Sequence, residues 1–188
     1  MRAFFCVPIP RALRSPIDVL AQGLRSKTSM HASWVQPENY HVTLRFLGDV
    51  DASLMIPLES LCQDLCKTLV PFACHFDRVG AFPNADRARV IWVGAESPLP
   101  FRTLSNALSD GLDALDFPRA RSESLVHVTL ARIKDHPDPS LPRLLMDATP
   151  TKAMSMTVDR IVLMESVLAR KGAVYSPLFT ARFQGHAG

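Results

Sequence analysis

No stretch of this chain is apolar for the twenty or so residues that a bilayer span requires. The opening Met1-Arg2-Ala3-Phe4-Phe5-Cys6-Val7-Pro8-Ile9-Pro10 is apolar but too short for a secretory h-region. Its prolines interrupt it, so it reads as a buried first strand. Cysteine is scarce: Cys6, Cys62, Cys66 and Cys74 form no Cys-x-x-Cys pair. A disulfide framework or thiolate zinc site is therefore not expected, and a reducing cytoplasm is. Carboxylates never cluster at metal-ligand spacing, so no metal and no other cofactor is expected. There is no low-complexity linker and no charge block to divide the chain. The formal charge is only +3, which favours an anionic ligand without the dense basic stripe of a duplex-binding protein.

What is present is a repeat. His-Val-Thr-Leu occurs as His41-Val42-Thr43-Leu44 and again as His127-Val128-Thr129-Leu130, nearly half the chain apart. A repeated tetrapeptide headed by a residue as scarce as histidine has a chance probability below about one in a hundred. The spacing points to an internal duplication with one copy per half; the competing reading is two unrelated buried strands that each carry a histidine. At 188 residues the chain is expected to form a single domain, residues 1–188, made of two lobes.

Side chains alternate along a strand. That period puts Tyr40, Val42, Leu44 and Phe46 on one face of the first copy, and His41, Thr43 and Arg45 on the other. In the second copy Val126, Val128 and Leu130 oppose His127 and Thr129. Each strand then has an apolar side to bury and a polar side to offer. By strict alternation Arg132 falls opposite His127, so it reaches the same face only through a strand end or a bulge.

The flanking pattern predicts strands at 2–7, 32–35, 72–79, 89–93, 125–131, 158–164 and 173–182. Helices are predicted over 10–27, from Asp51 or Ser53 to Pro71, over 98–115, and briefly after a 135–142 loop. Residues 80–84 read as a loop and Arg170-Lys171-Gly172 as a hairpin turn. The order strand, helix, strand, strand, met twice, predicts an α+β fold with antiparallel pairing.

Two imidazoles facing one cleft suit phosphodiester chemistry without a metal. Imidazole titrates near pH ~6.5, so one histidine can act as base while its mate acts as acid. The threonine hydroxyls can donate to non-bridging phosphate oxygens. An arginine, Arg45 or Arg132, can add a forked cationic contact, although each also reads as a surface cation. His31, His75, His136 and His186 have no threonine two residues on and read as structural or surface groups. Phe46, Phe82 and Tyr175 are candidates to stack on bases, and each also reads as core.

The stretches Pro37-Glu38-Asn39-Tyr40-His41-Val42-Thr43-Leu44-Arg45-Phe46-Leu47-Gly48 and His127-Val128-Thr129-Leu130-Ala131-Arg132 resemble the two-histidine (2H) phosphoesterase superfamily. Within it the resemblance is to the bacterial RNA 2′,3′-cyclic phosphodiesterases, also called 2′-5′ RNA ligases. Gly80-Ala81-Phe82-Pro83, Arg89-Val90-Ile91-Trp92-Val93-Gly94 and Gly172-Ala173-Val174-Tyr175 support it in family order. The resemblance implies two pseudo-symmetric lobes, each an antiparallel sheet with helices packed outside, around a central active-site cleft. It implies metal-independent hydrolysis of 2′,3′-cyclic phosphate ends of RNA, or of small cyclic nucleotides, to 2′-phosphomonoesters, with reversible 2′-5′ joining associated. His41 would be the proton donor to the leaving 3′ oxygen and His127 the proton acceptor from water. Thr43 and Thr129 would hold the phosphate, and Arg132 would contact phosphate or substrate. The chain departs from the family pattern at Val126, where a proline usually precedes the second histidine. A monomer without membrane association is expected. The rival readings are a noncatalytic RNA- or nucleotide-binding module, and a phosphodiesterase for another cyclic phosphate such as an ADP-ribose derivative.

Overall fold

The computed structural model describes residues 1–119, 125–150, 154–169 and 172–185. Helix α1 (Arg11–Arg25) buries Leu13, Ile17, Ala21 and Leu24, a stripe at helical spacing, with Pro16 accommodated inside it. Helix α2 (Met55–Thr68) buries Leu58, Cys62 and Cys66. It follows a short 3₁₀ turn capped by Asp51, whose carboxylate accepts from the Ser53 N–H at 2.8 Å. Helix α3 (Leu99–Asp113) buries Phe101, Leu104, Leu108 and Leu112, and α4 (Leu141–Ala148) follows the expected loop. All four cysteines are buried free thiols.

The strands are β1 (Arg2–Pro8), β2 (Ala32–Trp34), β3 (His41–Asp49), β4 (Phe72–Phe76), β5 (Arg78–Phe82), β6 (Val90–Glu96), β7 (Leu125–Ile133), β8 (Met154–Val158), β9 (Arg160–Ala169) and β10 (Gly172–Arg182). The main sheet runs β10-β9-β1-β3-β7-β6-β5, with β2 added against β7, and β4 pairs β8 separately. Pairing within both is antiparallel. The α+β expectation holds, with a refinement. The two halves of the main sheet are joined between β3 and β7 at the single pair Val42↔Val128. On one side of that pair β2 takes over as partner of β7; on the other, β3 and β7 part company.

One face of the sheet, carrying Phe5, Val7, Val42, Val126 and Val128, shares a continuous core with residues of all four helices. Phe4, Cys6 and Val162 form a small separate cluster, with Met164 and Tyr175 packed against it.

Three expectations are corrected. The strand predicted at 72–79 is two strands in different sheets, divided at Asp77, whose N–H is drawn to Gly94 O at 3.0 Å. The loop predicted at 80–84 begins inside β5. Its small residues are there for packing, since a Cβ on Gly80 would lie 2.4 Å from the Trp92 ring. A further strand, Met154–Val158, forms where the sequence pattern predicts none. The turn predicted at Arg170-Lys171-Gly172 has its first two residues, and the surface assignment of His186 its only one, outside the described residues.

Candidate active site

Strict alternation fails in both motif strands, and at the same letter of the repeat. Against β1, Thr43 pairs with Cys6 and Arg45 with Phe5, leaving Leu44 as an extra residue. Against β6, Thr129 pairs with Trp92 and Ala131 with Ile91, leaving Leu130 extra. A bulge re-aims every side chain after it. The expected faces are therefore wrong beyond each leucine. Arg45 turns to the face of Phe5 and is 5% exposed, whereas Phe46 turns to the histidine face and is 64% exposed. In the second copy Ala131 is buried and Arg132 comes round to the side of His127 and Thr129, through a bulge of the kind that strict alternation demanded.

His41, Thr43, His127, Thr129 and Arg132 line one cavity of ≈ 550 Å³. The structure thus brings together the two histidines, both threonines and Arg132. Arg45 borders the same cavity from the buried side of β3. His31 and His75 sit instead beside surface carboxylates, Asp135 and Asp77.

Local structure orients each ring. The Pro37–Asn39 3₁₀ turn ends with the Asn39 carbonyl accepting from His41 Nδ1–H at 2.7 Å, which leaves Nε2 for the cleft. The Asn39 side chain donates to Ala173 O at 3.0 Å, tying this turn to β10 two residues before Tyr175. His41 lies between Phe4 and Tyr175, with ring centroids 4.9 Å and 5.3 Å away, the Tyr175 ring perpendicular to its own. His127 is flanked in the same manner by Phe82 at 5.0 Å and Trp92 at 6.3 Å. Phe46, Phe82 and Tyr175 all line the cavity, and Tyr175 also packs against the small Phe4, Cys6 and Val162 cluster.

β6 comes very close to β7 at the second histidine. Gly94 pairs with His127, and a Cβ there would lie 2.3 Å from Val126 O and 3.1 Å from the His127 Cα. Val126, where the resemblance expects proline, is a buried strand residue paired with Ala95.

Burial lowers the pKa of His41. The Asn39 carbonyl opposes the shift, and the positive charges of Arg132 and His127 reinforce it. Among the described residues no group of three potential metal ligands forms, and no helix is long and apolar enough to cross a membrane.

Comparison with known proteins gives the chain a family and a fold. The model of the LigT-like phosphoesterases matches residues 7–92 and 95–175. A relative from Archaeoglobus fulgidus, named RNA 2′,3′-cyclic phosphodiesterase, is 30% identical over 178 residues, covering 95% of this chain and 98% of its own. The crystal structure of TT0787 of Thermus thermophilus superposes with a TM-score of 0.84 at 27% identity over all of both chains. E. coli LigT, solved with 3′-AMP, shares the fold at a TM-score of 0.75, with 22% identity and 97% of each chain covered.

Proposed function

The chain belongs to the LigT-like phosphoesterase family, and from that premise we propose that it hydrolyses 2′,3′-cyclic phosphate ends of RNA to 2′-phosphomonoesters without a metal. The observation that carries this reading is the convergence of two His-x-Thr strands, with Arg132, on one cavity. Relatives named RNA 2′,3′-cyclic phosphodiesterase along nearly the whole chain support it.

In this mechanism His127 takes a proton from water as the water oxygen attacks phosphorus. The bond from phosphorus to the 3′ oxygen breaks, and His41 Nε2–H protonates the departing oxygen. Thr43 and Thr129 donate to the non-bridging oxygens, where charge accumulates as phosphorus becomes five-coordinate, and Arg132 adds a fixed cation. The two histidines end the step with their protonation exchanged, and solvent restores them. With a 5′-hydroxyl in place of water, the same step joins two ends through a 2′-5′ linkage.

The test is incubation with a nucleoside 2′,3′-cyclic phosphate and identification of the product. The 2′-monoester is expected, with activity retained in EDTA. His41→Ala and His127→Ala should each lower turnover by roughly 10²- to 10⁴-fold. A 3′-monoester would reverse the leaving group. Unchanged turnover in either variant would rule out the acid–base pair, and binding without turnover would make the protein a noncatalytic module.

A further inference from the structure

The cavity does not end at the histidines. Where β3 and β7 separate beyond Val42↔Val128, it continues past Leu44 and Leu125 to helix α3. One side of α3, with Leu104, Leu108 and Leu112, is core. The side facing the cavity carries Arg102, Ser105, Asn106 and Ser109, at i, i+3, i+4 and i+7.

Arg45 borders this extension. It is 5% exposed, its Nε and Nη1 meet no acceptor, and no carboxylate among the described residues pairs with it. The carboxylate that does line the cavity, Asp110, is bound by Arg119, which also holds Asp113. A buried cation without a counter-charge is costly. The fold does not require one here: the matching residue after the second bulge is Ala131, fully buried and neutral.

We propose that the space between β3, β7 and α3 is a second anion subsite, in which Arg45, Arg102, Ser105 and Asn106 receive the phosphodiester on the 5′ side of the terminal nucleotide. The inference rests on the reading above for the reacting phosphate and adds the place where an RNA end is told from a free cyclic mononucleotide. Arginine supplies permanent charge and several donors to phosphate. The serine hydroxyl and asparagine amide supply neutral donors, while Ser109 is already committed to Ser105 O at 2.9 Å.

Three substrates test it: a nucleoside 2′,3′-cyclic phosphate, the same compound carrying a 5′-phosphate, and a dinucleotide ending in the same cyclic phosphate. The wild-type protein should favour both substrates with the second phosphate by about 10- to 100-fold in kcat/KM. Arg45→Met should bring that ratio close to one. If Arg45→Met does not fold, the double variant Arg102→Ala/Asn106→Ala, on the exposed side of α3, should lower the ratio instead. Equal kcat/KM for all three substrates in the wild type overturns the subsite and leaves the hydrolysis standing. So does a preference for the dinucleotide alone, which would assign the gain to the second base, or a ratio that survives in the folded variant. Failure of the wild type to turn over any of the three brings down the hydrolysis itself and the subsite with it.

Discussion

On the proposed mechanism, His41 donates a proton from a place that discourages it from holding one. Burial works against its charged form, and so do Arg132 and His127; only the Asn39 carbonyl, accepting from Nδ1, favours it. A phosphate arriving in the cavity brings negative charge that reverses the balance. By NMR, the His41 ring should therefore titrate below its ordinary value of ~6.5 in the free protein. The midpoint should rise when inorganic phosphate is added, and rise in Arg132→Gln without it. A midpoint at or above the ordinary value in the free protein would refute the arrangement. The linkage has a definite sign. Because the folded pKa is lowered, His41 costs nothing above the unfolded value. Its penalty grows as pH falls from about 6.5 through the folded pKa, and stability should decline across that window. At this scale the sequence was readable where residue type carries the chemistry. The histidines and threonines were visible in the repeat itself. Alternation puts Arg45 and Phe46 each on the face opposite to the one they occupy, because a face is a property of the strand and not of the residue.

That error belongs to the element. Period two holds only while the ladder adds one residue per partner, and the insertions at Leu44 and Leu130 leave no compositional mark. Leucine at a bulge looks like leucine in register. Only the partner strand shows the difference, and pairing between β3 and β1, or between β7 and β6, is non-local information. The same limit hid β8 and the division between β4 and β5. Helices α1, α2 and α3 were legible because their apolar stripes repeat within the element. The close approach at Gly94 is another property of paired strands, and it can be tested. Gly94→Ala places a methyl carbon 2.3 Å from Val126 O and 3.1 Å from the His127 Cα, so β6 must move away from β7. Thermal unfolding should show a loss of about 1–3 kcal/mol, with turnover reduced beyond what the unfolded fraction explains, because His127 shifts with its strand. Wild-type stability and turnover together would mean that the two strands accommodate the methyl freely.

At the scale of the molecule, two halves carry one motif each, and the cavity takes one histidine from each half. Their relative placement rests on a slender strand junction, the pair Val42↔Val128. The parting of β3 from β7 opens the deep end of the cavity, so a broader junction would close the space that reaches α3. What holds the halves in position is instead the shared core. Val42 and Phe5 from one half, Val128 and Ile91 from the other, and residues of all four helices form a single buried cluster. Such a core should unfold as one unit. The two tryptophans, Trp34 on β2 and Trp92 on β6, sit on strands of the β5–β7 half, whereas far-UV circular dichroism reports on the secondary structure of both halves. In urea the two signals should follow one curve with one midpoint, and Val42→Ala should move both together, since a cavity at the junction weakens the contact each half makes with the other. A fluorescence transition that separates from the dichroism transition, in the wild type or in Val42→Ala, would show that the halves are independently stable. The distance between His41 and His127 would then be set by a hinge and not by the core.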